Sequence, residues 1–322
     1  MTALLQRFKG WEGLLLAVFL AILATNAFLI PDFLTVGNQI NLFQLSIEKI
    51  IVALVMTFII INGEIDLSVG SMMGLAACAF GWMVKEQGIS APAAIIVALG
   101  IGALGGALNG WFITRVGLPS LVVTLATLIG FRGLARVLVE DRGLTDFPDW
   151  FDAMGQKGFI GPLPFALVAF ALLFVLLYVV LEHSGFGRKT QVIGTNRDVA
   201  EYAGIDTNRH KMILFVASGF ISAFAGLLYA ARVGAVRGDV ANGFELDIIT
   251  IVLLGGVSIF GGTGTLLGTL LSVLIVLNIR NGMALLNITG HIQTGVIGLL
   301  LIASVVVPRL SLRKSIGREK PA

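Results

Sequence analysis

The chain has 322 residues, 57% of them hydrophobic and only 13% charged, with a formal net charge of +3 and a mean hydropathy of +0.94. A soluble domain carries about 25% charged residues, so this composition excludes one, and so small a positive charge gives no footing for nucleic acid. The single cysteine, Cys78, excludes a disulfide framework and a thiolate metal site, and none of the three histidines has a second ligand at metal spacing.

Apolar stretches long enough to cross a hydrocarbon core of about 30 Å recur from end to end. The expectation is an all-α polytopic membrane protein with about ten transmembrane segments, near 12–30, 43–61, 67–84, 91–113, 118–138, 162–181, 212–231, 247–260, 265–280 and 291–308. Forty glycines fit it, because small residues let membrane helices approach closely. The first segment is flanked by Arg7 and Lys9 and shows no small-residue cleavage site, so it reads as a retained helix rather than a signal peptide.

The second segment contains Glu48 and Lys49, which as helix neighbours do not face each other and call for two separate interhelical contacts. It ends at the turn dipeptide Asn62-Gly63. Glu64 and Asp66 follow, with no basic residue nearby in sequence. Asp66 or Ser68 stands where the third helix begins, and a carboxylate or hydroxyl there accepts orphaned N–H groups and complements the helix dipole. The other reading is that an ionisable residue at membrane depth marks a transport path. Asn109 and Thr124, in the fourth and fifth segments, either line a polar route or hydrogen-bond neighbouring helices.

The loop 139–161 is acidic and carries Trp150 and Phe151, an expected interfacial anchor on an outer surface. The loop 182–211 is longer and basic. Within it Thr195 or Asn196 can cap a short helix that Gly204 can stop. On that helix Val199, Tyr202 and Ala203 share an apolar face, opposite Arg197, Asp198 and Glu201, with Ala200 between. A helix of about two turns is not stable alone, so it must pack on this chain or on a partner. The loop 231–247 mixes Arg232 and Arg237 with Asp239, Glu245 and Asp247, either a solvated patch or a surface for exposed ion pairs with a partner.

Next, LLGGVSIFGGTGTLLGTLL places six glycines within 253–271. Such a run is not one straight helix. A break is expected at Gly261, Gly262 and Gly264, with Thr263 or Thr265 capping the helix that follows. No Gly-x4-Gly-Lys-Ser/Thr phosphate loop occurs anywhere, so any ATPase that drives this chain is a separate subunit. The basic residues give the orientation: with both termini, the loop 182–211 and the tail 309–322 on the cytoplasmic side, that side holds thirteen of the 22 and the outside eight.

Four blocks carry a resemblance. GEIDLSVGSMMGLAA at 63–77, GALNGWFITRVGLPSLVVTLATL ending at residue 128, Gly194-Thr-Asn-x3-Ala200-x3-Gly204-Ile205, and ELDIITIVLLGGVSIFGGTGTLLGTLLSVLIV at 245–276 resemble, in order, the permeases of ATP-driven (ABC) importers of the ribose-type monosaccharide family. Glu64 departs from that family's commoner glycine. The resemblance implies a single transmembrane permease domain over 1–322 in a bacterial inner membrane. It implies a homo- or heterodimer with two ATPase subunits, which hold ATP and magnesium, and a periplasmic sugar-binding protein. The chain itself would be no enzyme and carry no cofactor. Residues 195–204 would be the helix that docks on the ATPase, and residues 244–266 together with 276–301 are most similar to rhamnose-system permeases. Ribose and autoinducer 2 are the close alternatives, and an ion-coupled secondary transporter using Glu64 or Asp66 is the rival from another class.

Overall fold

The computed structural model describes residues 10–140, 142–300 and 302. It is helical almost throughout. The helices are α1 (Trp11–Leu29), α2 (Val36–Gln44), α3 (Ile47–Ile61), α4 (Val69–Lys85), α5 (Ala91–Trp111), α6 (Ser120–Val139), α7 (Asp149–Gln156), α8 (Phe165–His183), α9 (Gly185–Thr195), α10 (Arg197–Tyr202), α11 (Thr207–Val233), α12 (Phe244–Leu254) and α13 (Leu266–Leu285). A π turn, Phe112–Val116, extends α5 and is closed by Gly117 in the left-handed region. Residues 290–300 are helical again. The strands are two-stranded trimmings: β1 (Leu144–Thr145) pairs antiparallel with β4 (Ala235–Val236), and β2 (Gly158–Ile160) with β3 (Leu163–Pro164).

The expected ten spans are not confirmed as a count. Among the described residues six helices are long and apolar enough to cross a membrane, or seven if α2 and α3, bent by 57°, form one broken span. The difference lies where the chain breaks. The third expected segment is the 17-residue α4. The eighth is cut to the 11-residue α12, because Gly255 and the left-handed Gly256 end it. The seventh begins already at Thr207, and the tenth runs partly outside the described residues.

The centre of the bundle is α3, IEKIIVALVMTFIII, in which every residue but Lys49 is buried. A helix that is apolar on all sides has no face to give to water, and here α11, α12 and α13 surround it with one apolar cluster. A second cluster joins α4, α5 and α6 to α7, where Phe151 stacks on Phe80 at 4.3 Å between ring centroids. Phe151 is thus buried and only Trp150 is exposed, so the expected aromatic anchor reduces to the tryptophan. The loop uses its phenylalanine to seal the bundle end.

The tightest helix pair is α5 against α11. Gly102 and Gly106 face Gly219 and Phe215 so closely that a Cβ on Gly106 would collide with the Phe215 carbonyl, and one on Gly219 with the Gly102 carbonyl. Backbones meet here because no side chain intervenes. Overpacking a core costs about 1–3 kcal/mol. Gly219→Ala is therefore expected to lower the Tm of the purified protein by several degrees, while Gly100→Ala, where a Cβ meets nothing within 4 Å, leaves it unchanged in the same melting experiment.

Candidate functional site

The linker between α3 and α4 places its two carboxylates differently. Glu64 forms an ion pair with Lys211 of α11, and both side chains are nearly buried. That partner lies 147 residues away, which is why no local pattern reveals it, and it corrects the reading of Glu64 as lacking a basic partner. Among the described residues Asp66 meets no cation. Its Oδ1 accepts the Ser68 N–H at 2.9 Å and the Ser68 hydroxyl at 2.6 Å, and its Oδ2 accepts the Ser218 hydroxyl at 2.7 Å. The turn this builds delivers the chain into α4, so Asp66 shapes the helix entry from two residues before the cap position, Ser68.

Two more helices close on the same linker. Asn109 of α5 donates to Ser68 Oγ at 2.9 Å. From α6, the Ser120 hydroxyl accepts the Ile65 N–H at 3.2 Å, and Thr124 donates to the Ile65 carbonyl at 3.3 Å and to the Ser120 carbonyl at 2.8 Å. Asn109 thus hydrogen-bonds from α5 to the start of α4, and Thr124 from α6 to the linker. Lys211, Ser120 and Ser218 were missed by sequence reasoning: Ser120 and Ser218 fall in apolar runs, and Lys211 counted there only as an orienting charge.

Directly beside this linker three backbones touch. The Gly262 N–H donates to the Ile61 carbonyl at 2.8 Å, which joins the glycine-rich turn to the end of α3. Gly194, one residue before the end of α9, is wedged between them: a Cβ on Gly194 would collide with the Ile61 carbonyl and approach Gly262 N to 2.6 Å. A Cβ on Gly261 would lie 2.8 Å from the Gly194 carbonyl and 2.9 Å from Gly63 Cα. Gly63, Gly261 and Gly262 all hold positive φ near 80°, a conformation glycine adopts at no steric cost. Gly264 continues the turn with φ 153°, and Thr265 caps α13 by accepting the Gly268 N–H at 3.0 Å. From outside, α1 braces the turn, with Trp11 Nε1 donating to the Leu254 carbonyl at 3.1 Å and Glu12 accepting from Thr265 at 2.6 Å.

The short helix α10 starts three residues beyond Gly194. Asn196 caps it by accepting the Val199 N–H at 3.0 Å, Thr195 packs against Gly262, and Gly204 ends the turn at φ 79°. Ala200 is fully buried beneath it. Glu201 accepts from Arg197 at 2.8 Å and from Thr207 at 2.6 Å. Those hydrogen bonds, Thr207's first and then Arg197's, hold the Glu201 carboxyl below the usual carboxylate range. Asp198 points to solvent, while Val199 and Tyr202 are 56% and 93% exposed. The helix therefore presents an apolar face that nothing among the described residues covers.

At the opposite end of α11, the five mixed charges separate into two groups. Arg232 pairs with Glu48 at 2.6 Å, and Asp247 with both Lys49 at 2.6 Å and Arg280 at 2.7 Å. Glu48 and Lys49 thus make two separate interhelical contacts, as their spacing implies. Glu245 is buried as well. Only Arg237 and Asp239, 3.6 Å apart, lie on the surface.

Residues 38–305 match the family described as branched-chain amino acid transport system / permease component. The ribose import permease protein of Bacillus subtilis is 34% identical over 92% of this chain and 92% of its own length. That of Escherichia coli K12 is 30% identical over 93% and 94%. The autoinducer 2 import system permease protein LsrD of Yersinia enterocolitica is 33% identical over 98% and 96%. No solved structure matches the chain.

The Glu64–Lys211 pair gives a quantitative test. Removing one member of a buried pair costs about 3–5 kcal/mol, because the other charge is stranded. Lys211→Met and Glu64→Gln are each expected to be strongly destabilised in detergent melts, and the double variant is expected to regain most of the loss. Additive losses in the double variant would show that the two groups do not act as a pair.

Proposed function

The chain belongs to the family of branched-chain amino acid transport system permease components, and from that membership we propose that it is the membrane-spanning subunit of an ATP-driven importer for a monosaccharide. Ribose is the favoured substrate, with autoinducer 2 next, because the relatives that cover nearly the whole chain are named for those two solutes. The rhamnose expectation finds no support among them. ATP with its magnesium would be held by separate ATPase subunits, two of them against a homo- or heterodimer of permeases in a bacterial inner membrane. Both termini and α10 would face the cytoplasm. A periplasmic binding protein would deliver the sugar to the opposite end, where the exposed Arg237 and Asp239 are the charges free to meet it.

The observation that carries this reading is α10. An exposed tyrosine and valine on a two-turn helix make a docking surface, and the buried side of that helix leads through Gly194 to the ends of α3 and the turn before α13. A partner that moved α10 would push on both broken-helix ends. Asp66, Ser68 and the three turn glycines then act as hinge and entry groups rather than as a sugar site. The ion-coupled rival keeps Asp66 as its coupling group, since Glu64 is occupied by Lys211.

Co-purification from native membranes, followed by ATPase assay with and without ribose-loaded binding protein, tests the proposal. An ATPase subunit whose turnover rises with the loaded binding protein supports it. Solute uptake by vesicles of this chain alone on an ion gradient overturns it. Truncating a tyrosine at the centre of an interface costs about 2 kcal/mol or more, so Tyr202→Ala is expected to weaken ATPase binding by about 30-fold without changing the Tm of the permease alone. Undiminished binding would remove α10 from the interface.

A further inference from the structure

The ends of two spanning helices leave a cleft that nothing above uses. The π turn and the first turns of α11 enclose about 610 Å³, lined on the polar side by Thr114, Arg115, Asn208 and Arg209 and on the apolar side by Met212 and Ile213. Arg115 and Arg209 are both exposed, and among the described residues neither guanidinium has an ion pair or a side-chain hydrogen bond. The acid at the rim, Asp206, caps α11 by accepting the Arg209 N–H at 2.9 Å. The cleft is therefore a cationic pocket with unassigned donors.

Its other wall is apolar and exposed. Ile213 is 46% exposed, and Phe220, two turns further along the same face of α11, is also exposed. Trp111 and Val116 flank the cleft from the α5 side, and both are exposed. A tryptophan beside two arginines at the ends of spanning helices is the arrangement found at the headgroup level of a bilayer. Basic pockets between spanning helices take anionic headgroups there, and arginine's planar fork matches phosphate oxygens.

We propose that this cleft binds the phosphate headgroup of an anionic phospholipid, with the acyl chain lying along Ile213 and Phe220. The position has a consequence for α10. Asn208 Oδ1 accepts from Arg197 at 3.2 Å, so the amide that lines the cleft also holds the first residue of the exposed helix. An occupied cleft steadies α10 through that contact.

The test places the purified chain in nanodiscs of phosphatidylcholine with and without phosphatidylglycerol, and reads the Tm and the lipid retained in native mass spectra. The expected result is a rise in Tm of several degrees with phosphatidylglycerol, together with retained phosphatidylglycerol. Both are lost in the Arg115→Gln/Arg209→Gln double variant and kept in Arg115→Lys/Arg209→Lys. Inorganic phosphate added to phosphatidylcholine discs is expected to give no rise. An equal rise with inorganic phosphate would identify a soluble anion as the ligand and overturn the lipid assignment. So would a phosphatidylglycerol effect that survives the glutamine substitutions. If the double variant loses an ATPase subunit on co-purification while its lipid response stays intact, the arginines belong to a protein interface and the proposal fails.

Discussion

Three stretches of backbone meet at Gly63, Gly194 and Gly261 with no side chain between them. One is the end of the buried central helix, one the end of α9, and one the turn that separates α12 from α13. A van der Waals contact between main chains cannot be adjusted by rotamer changes, so a displacement of any one of the three is a displacement of the others. The Gly262 to Ile61 hydrogen bond fixes the joint on one side, and α1 clamps it on the other through Trp11 and Glu12. Because α10 begins directly after this joint, a short exposed helix gains a rigid connection to the interior of the bundle.

The polar residues of this apolar chain follow from that arrangement. A helix broken inside a membrane exposes backbone groups that the surroundings must satisfy. Between α3 and α4 they are satisfied by Ser120 and Thr124 and by the carboxylate of Asp66, which the Ser68 and Ser218 hydroxyls hold in place. The ion pairs serve the opposite need. Glu64 with Lys211, Glu48 with Arg232, and Asp247 with Lys49 and Arg280 each tie α11, α12 or α13 to the chain around α3. Buried pairs contribute little net stability but penalise any arrangement that separates them. They fix how the helices are registered around the centre.

Much of this was legible in the residues. The apolar segments, the interruption at Gly261 to Gly264, the cap and stop of α10, and the division of labour between Glu48 and Lys49 follow from spacing and residue type, because each is a local property. The number of full crossings did not follow, since α12 stops at Gly255 and Gly256 rather than where apolar composition ends, and α4 is only 17 residues long. Partners at long range were hidden for the same reason. Lys211 looked like an orienting charge and Arg232 and Asp247 like surface groups, because burial is decided by helices far away in sequence. Gly194 entered only as the first residue of a resembling block, as only its neighbours in space show why a side chain is excluded.

The account stands on the joint at Gly194. Its most direct test is the ratio of sugar taken up to ATP hydrolysed by the reconstituted importer carrying Gly194→Ala, with the Tm of the permease and the amount of bound ATPase measured alongside. The account predicts that the ATPase still binds, because Val199 and Tyr202 are untouched, while uptake per ATP falls as the displaced backbone no longer follows α10. Uptake per ATP equal to that of the parent, at an unchanged Tm, would contradict it.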